Sequence, residues 1–107
     1  MILTMTERFL LLGIIPAEGG SFAQREAMMQ ARAVLFPSAE EQTLVNMKSE
    51  GDQLKWDVSL EKPTNVKVGP IAGDWFKEIF IGMENDSKLR DEHVNLYDIF
   101  VNGNLPK

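Results

Sequence analysis

The first 41 residues contain three copies of one short pattern, a hydroxyl residue followed three positions later by Glu or Gln. The copies are Thr4-Met5-Thr6-Glu7, Ser21-Phe22-Ala23-Gln24 and Ser38-Ala39-Glu40-Glu41. In such a capping box the hydroxyl accepts a hydrogen bond from the backbone of the fourth residue, whose side chain bonds back to the cap. The sequence therefore predicts three helices that begin near residues 4, 21 and 38.

Prolines and hydrophobic spacing predict where these helices end. The first helix should stop between Gly13 and Pro16, because proline disfavours helical geometry in the residue before it. The second helix should run to about Phe36, and Pro37 then separates it from a short third helical turn. One apolar stripe is predicted along the second helix, formed by Ala27, Met28, Ala31, Val34 and Leu35.

After Leu44 the hydrophobic period changes from 3.6 to 2, which indicates a β-hairpin. If Gly51-Asp52 forms a two-residue turn, residue 49 faces 54, 47 faces 56 and 45 faces 58. This register predicts a largely buried Trp56 beside Met47, on a face shared by Val45, Met47, Leu54, Trp56 and Val58. A third strand at Asn65 to Val68 would extend the hairpin to a meander.

Two more helices are predicted in the second half of the chain. Gly69-Pro70 is a typical helix start before a wide apolar face, and Asp91 can cap a last helix that ends before Gly103. The length of 107 residues suits a single domain, 1–107. We expect an α+β fold with four to five helices packed around a small antiparallel β-hairpin or three-stranded meander.

Composition excludes several classes of protein. There is no cysteine, so disulfides and thiolate chemistry are excluded. The longest apolar stretch, Phe9 to Ile15, is too short to cross a bilayer and lacks the basic start of a secretory signal. The formal net charge of −5 disfavours contact with nucleic acid. We expect a cytoplasmic protein that contacts no membrane.

No group of residues indicates catalysis or a cofactor. His93 is the single histidine, and Asp91-Glu92-His93 are consecutive residues that point in different directions on a helix. Glu84 to Ser87 lacks the spacing of a calcium loop, and Gly19-Gly20-Ser21 lacks the lysine of a phosphate loop. We therefore expect no catalytic, cofactor-binding or metal-binding residues.

Four residues are candidates for an interface with another protein: Leu11, Arg25, Met29 and Arg32. Met28 and Met29 are adjacent, so one of them must point away from the stripe that buries the other. Arg25 and Arg32 lie on the polar side of the same helix. Leu11 belongs to a first helix that is apolar on more than one side. Either other helices of the domain cover that surface, or a second chain does, as in a twofold homodimer.

Both ends of the chain resemble small phage or prophage proteins of unassigned function. The resemblance is carried by Leu3-Thr4-Met5-Thr6-Glu7-Arg8 with the segment Leu10 to Gly19, and by Asp91-Glu92-His93-Val94-Asn95-Leu96-Tyr97-Asp98-Ile99-Phe100. It covers about a third of the chain. It implies a short protein that acts inside a bacterial host cell, and it brings no catalytic residues.

Our leading hypothesis is a non-enzymatic protein that acts by protein–protein interaction, with an unidentified host or phage protein as its partner. The alternative is a winged-helix-like nucleic-acid-binding protein, because three helical segments precede a hairpin. Its phosphate contacts would be Arg25, Arg32, Lys48 and Lys55. An enzyme that uses carboxylates such as Glu18 or Glu41 is a third class, since one sequence does not show which residues converge in space.

Overall fold

All three capping boxes begin a helix in the computed structural model, which describes residues 1–103. Helix α1 is Met5–Ile14, α2 is Phe22–Leu35 and α3 is Ala39–Leu44, and both hydrogen bonds of each capping box are formed. Thr4, Ser21 and Ser38 are the N-caps, as the sequence predicts. The structure thus confirms the helix starts that the local pattern predicts for the first half of the chain.

Two further helices follow in the second half. Helix α4 is Pro70–Asn85, with its proline in the first turn, and α5 is Val94–Phe100. The expectation that Asp91 caps the last helix is wrong by one turn. Asp91 lies inside a 3₁₀ turn, Asp91–His93, that leads directly into α5. A carboxylate there is still favoured by the positive end of the helix dipole.

The strands form two separate antiparallel pairs. Strand β1 is Ile2–Leu3, β2 is Lys48–Glu50, β3 is Gln53–Lys55 and β4 is Thr64–Asn65. Strands β2 and β3 form the expected hairpin in the expected register, with Ser49 opposite Leu54. The predicted third strand does not extend this hairpin. Instead β4 pairs with β1, and this pairing places the side chains of Leu3 and Val66 in the core.

The predicted core face of the hairpin is confirmed only in part: Val45 is 3% exposed and Met47 and Trp56 are half-buried, whereas Leu54 and Val58 are exposed. All six residues of β2 and β3 are exposed, Leu54 among them. Val58 is 62% exposed and lies in a 3₁₀ turn, Val58–Leu60. The two strands are only three residues long. The Asp57 N–H then bonds to the Val45 carbonyl oxygen at 2.8 Å, so the longer ladder of alternating side chains does not form.

Trp56 is half-buried, where the sequence predicts a largely buried side chain. Its ring stacks on Phe9 of α1 at 4.9 Å between centroids, and its indole N–H donates to the Glu61 carboxylate at 3.2 Å. Trp56 therefore packs against the first helix.

The core lies between α1, α2, α4 and α5. Its largest fully buried side chains are Leu3, Leu11, Met28, Leu35, Phe76, Phe80 and Leu96. Phe100 of α5 packs against Phe76 and Phe80 of α4, with ring centroids 5.4 and 5.9 Å apart. Five helices with small antiparallel pairs confirm the α+β class. In the part of the chain that the structure describes, no helix has the length and apolar character to cross a membrane.

A buried cation joins the first three helices. The Arg8 side chain in α1 is 3% exposed; its Nε donates to the Leu35 carbonyl oxygen at 2.8 Å and its Nη1 to the Glu41 carboxylate at 2.5 Å. Leu35 is the last residue of α2, and Glu41 lies in the first turn of α3. The hydrogen bond from Arg8 holds the pKa of Glu41 below its ordinary value of 4.5.

We expect Glu41→Gln to reduce the free energy of unfolding by about 3 kcal/mol, because it leaves the buried Arg8 charge without a counter-ion. Glutamine preserves the side-chain oxygen that the capping box needs. The matched control is Glu40→Gln, an exposed carboxylate of the same helical turn. Urea unfolding of the three proteins measures the difference. Equal stability of the two variants would contradict a structural role for the Arg8–Glu41 pair.

The same pair should make stability depend on acidity. Because the folded-state pKa of Glu41 is lowered, its contribution is fully present above the unfolded value and is lost as pH falls through the folded value. The stability gap between the wild type and Glu41→Gln should therefore shrink as pH falls below 4.5. Urea titrations at a series of pH values between neutrality and strong acid check this, and a gap that stays constant would refute it.

Candidate interaction surface

The one histidine has a structural role. His93 is 4% exposed, and its Nδ1 accepts a hydrogen bond from the Arg90 N–H at 3.2 Å, which closes the turn before α5. Its ring lies 6.3 Å from that of Phe80 between centroids. Among residues 1–103, no three side chains of His, Asp or Glu come close enough to hold a metal ion.

Leu11 does not lie on the surface. Its side chain is 0% exposed and belongs to the main hydrophobic cluster, together with Met28 of α2 and Phe76 of α4. The interpretation of Leu11 as a contact residue is wrong, because the domain's own helices enclose the apolar side of α1. Leu11 is therefore covered by other helices of the same chain, which is the first of the two arrangements predicted for α1.

Arg25 is held by the chain around it. Its guanidinium donates to the carbonyl oxygens of Pro16 and Ala17, at 2.7 and 3.3 Å. These bonds fasten the loop after α1 to the start of α2. Arg25 is half-buried, so its main contribution is to position this loop.

Met29 is exposed, as the sequence predicts for one of the two adjacent methionines. Its side chain is 66% exposed, whereas Met28 is 1% exposed among the core residues. Arg32 is exposed one turn further along the same side of α2. Of the four candidates, Met29 and Arg32 are therefore the two that are exposed, and they lie one turn apart on α2.

The surface around Met29 is larger than the sequence suggested. Phe22, Met29 and Phe36 are seven positions apart, so they lie on one side of the helix, and they are 85%, 66% and 46% exposed. We call these three residues, with Ala33 and the flanking charges Glu26 and Arg32, the outer face of α2. Met29, Arg32, Ala33 and Phe36 border an open depression of about 390 Å³.

A groove runs beside the outer face, between α2 and the start of α4. Its volume is about 410 Å³, and it includes Val34 on one side and Ile71 on the other. Val34 was predicted to lie in the buried stripe, but it is 45% exposed. Among residues 1–103, five of the eleven exposed large apolar side chains belong to α2, its C-cap Phe36 or this groove. Helix α2 and the groove beside it thus carry the largest group of exposed apolar side chains among the described residues.

Phe22 and Phe36 are the residues that the sequence interpretation missed. Phe22 is the first residue of α2 and Phe36 is its C-cap, so both lie outside the predicted apolar stripe, which runs from Ala27 to Leu35. The signal that could have found them is the spacing of seven on either side of Met29. That spacing differs from the stripe of Met28, Ala31 and Leu35, which faces the core.

The cations required by the nucleic-acid alternative are only partly available. The order of three helices followed by a hairpin is present. Lys55 forms a salt bridge with Glu50 at 2.9 Å, and Arg25 is bonded to backbone carbonyl oxygens. Lys48 lies directly opposite Lys55 in the hairpin, while Arg32 lies on α2. Two of the four proposed phosphate contacts, Arg25 and Lys55, are therefore already bonded to other groups of the protein.

Comparisons with protein-family models, with curated proteins and with solved structures found no match for this chain. The resemblance of its two ends to small phage proteins therefore stays a hypothesis. The outer face of α2 is then the main indication of function that the molecule offers.

The two adjacent methionines offer a direct test of which side of α2 faces the core. Met28→Ala should reduce the free energy of unfolding by about 2–5 kcal/mol, as expected for a buried side chain. Met29→Ala should change it by less than about 0.5 kcal/mol, because its side chain is exposed. Both variants make the same Met-to-Ala change in the same helix, so any effect on helix propensity is shared. Each variant is therefore the control for the other in urea unfolding. A large loss for Met29→Ala would place that side chain in the core.

Proposed function

We propose that this chain is a non-enzymatic protein-binding domain whose contact surface is the outer face of α2. In line with the phage-type resemblance, it acts inside a bacterial cell on a host or phage protein. The observation that carries the proposal is the exposure of Phe22 and Met29, which are 85% and 66% exposed on one side of one helix.

The chemistry of this face is that of an interaction surface. Monomeric proteins seldom expose large contiguous apolar patches, and aromatic residues, Met and Arg are enriched where proteins meet. Apolar side chains seven apart along a helix are also the usual anchors when a helix docks against a groove. Here Phe22, Met29 and Phe36 supply the anchors, while Glu26 and Arg32 supply charges at the rim.

The opposite side of α2 makes the face rigid. Met28, Ala31 and Leu35 are buried, and the capping box at Ser21 fixes the beginning of the helix. A surface that is ordered before binding loses less conformational entropy when the partner arrives. The interior of the domain is thus suited to present the face as a preformed element. A second copy of the chain in a twofold homodimer is one arrangement that would use it.

The proposal can be tested with a double variant, Phe22→Gln with Met29→Gln, which removes apolar surface without touching the core. The matched control is Val58→Gln with Val94→Gln, two side chains of similar exposure, 62% and 60%, outside α2. We expect affinity capture from bacterial lysate to retain a protein with the wild type and the control only. Binding of that purified protein should weaken by about 30-fold or more in the α2 variant, as for loss of hot-spot residues.

Two results would count against the proposal. One is capture of the same protein, with the same affinity, by the α2 variant and the wild type. The other is micromolar binding to duplex DNA that falls steeply as salt rises, which would favour the winged-helix-like alternative. Sedimentation of the wild type and the α2 variant, run in parallel, tells a homodimer from a complex with another protein.

A further inference from the structure

A second recess lies away from the outer face of α2, between α1, α3 and the segment 58–64. Its volume is about 260 Å³, and Met5, Val45, Leu44 and Leu60 form most of its walls. It shares no lining residue with the depression or the groove beside α2. Any ligand it holds is therefore recognised independently of the proposed protein contact.

The walls of this recess suit an apolar group. Met5 and Val45 are 5% and 3% exposed, whereas Leu44 and Leu60 are 65% and 42% exposed. The buried side chains belong to the packed interior, and the two leucines present apolar surface that an apolar guest would remove from water. An apolar cavity of about 150 Å³ can hold benzene, so this recess admits a phenyl ring with a short side chain.

The charges at the recess favour a negative group. Glu41 lines it, but its carboxylate is paired with Arg8 and also accepts the Ser38 N–H at 3.0 Å. Lys62 also lines it, is exposed and has no ion pair among the described residues 1–103. With Glu41 balanced by Arg8, Lys62 is the lining residue whose charge has no partner in the recess.

The acidic neighbour of Lys62 is also engaged. The Glu61 carboxylate accepts hydrogen bonds from the Thr6 N–H at 2.5 Å, from the Thr6 hydroxyl at 2.9 Å and from the Trp56 indole at 3.2 Å. Glu61 is not among the residues that line the recess. The Glu61 carboxylate is thus bonded to Thr6 and Trp56, and no salt bridge among residues 1–103 joins it to Lys62.

We propose that this recess binds a small apolar carboxylate, with the apolar part between Leu44 and Leu60 and the carboxylate at the Lys62 ammonium. An aryl or short alkyl carboxylic acid has the required size and charge. A ligand of this size has a limited attainable affinity, and we expect a Kd of about 1 mM.

The test is a titration with 3-phenylpropanoate, followed through the methyl resonance of Met5 in protein labelled at the methionine methyl groups. Met5→Leu assigns that resonance. We expect Met5 to shift on titration and Lys62→Gln to weaken binding about fivefold, the effect of one exposed charge pair. The matched control is Lys67→Gln, another exposed lysine, which lines the groove beside α2 and should leave the affinity unchanged.

Two further ligands complete the experiment, one neutral and one positively charged. The neutral 3-phenylpropanamide should bind the wild type about fivefold more weakly than the carboxylate, and this preference should disappear in Lys62→Gln. The proposal is overturned if Met5 does not shift at tens of millimolar carboxylate, or if the amide binds equally well. Tighter binding of 3-phenylpropylamine would likewise overturn it, because Glu41 would then be the recognising group. The methyl spectrum of each free variant shows whether its fold is intact.

Discussion

The ion pair between Arg8 and Glu41 fixes the arrangement on which the rest of the molecule depends. A guanidinium buried in α1 is tolerated only where its hydrogen bonds are satisfied, because burying an unpaired charge costs several kcal/mol. Its partners come from the last residue of α2, Leu35, and from the first turn of α3. A cation is favoured at the carbonyl end of α2 and a carboxylate at the amide end of α3, so the pair also matches both helix dipoles. The three helices are thereby held in a single relative orientation.

That orientation determines both candidate surfaces. With the carboxyl end of α2 fixed to Arg8, the side of α2 that bears Met28 faces α1 and α4, and the side that bears Met29 is left outside. The same pair neutralises Glu41 where it lines the recess between α1 and α3. Lys62 then decides which charge that recess prefers. One buried contact thus helps to orient α2 and balances the charge of Glu41 at the recess.

The sequence predicted the features that depend on neighbouring residues. Ser21 with Gln24, for example, specifies a helix start within four residues, and Gly51-Asp52 specifies the hairpin turn and its register. It did not predict the pairing of β1 with β4, because Leu3 and Thr64 are 61 positions apart and nothing local connects them. Nor did alternation in the hairpin reveal its exposure, since alternation shows which side chains share a face and leaves open whether anything covers that face. Arg8 was likewise hidden, because its partners Leu35 and Glu41 are brought to it only by the packing of helices.

The contrast between Leu11 and Met29 explains why the candidate site could be predicted only in part. Helix α1 is apolar on several sides, which suggests an interface, but a helix of that kind can equally be enclosed by its neighbours, and Leu11 is. Helix α2 already has a complete inner stripe in Met28, Ala31 and Leu35, so the core has no further place for Phe22 or Met29. An apolar residue on a helix whose inner stripe is already filled is buried only if another element covers it, and nothing covers Phe22 or Met29 among residues 1–103. Such surplus residues are therefore a better guide to exposed apolar surface than the total apolar content of a helix.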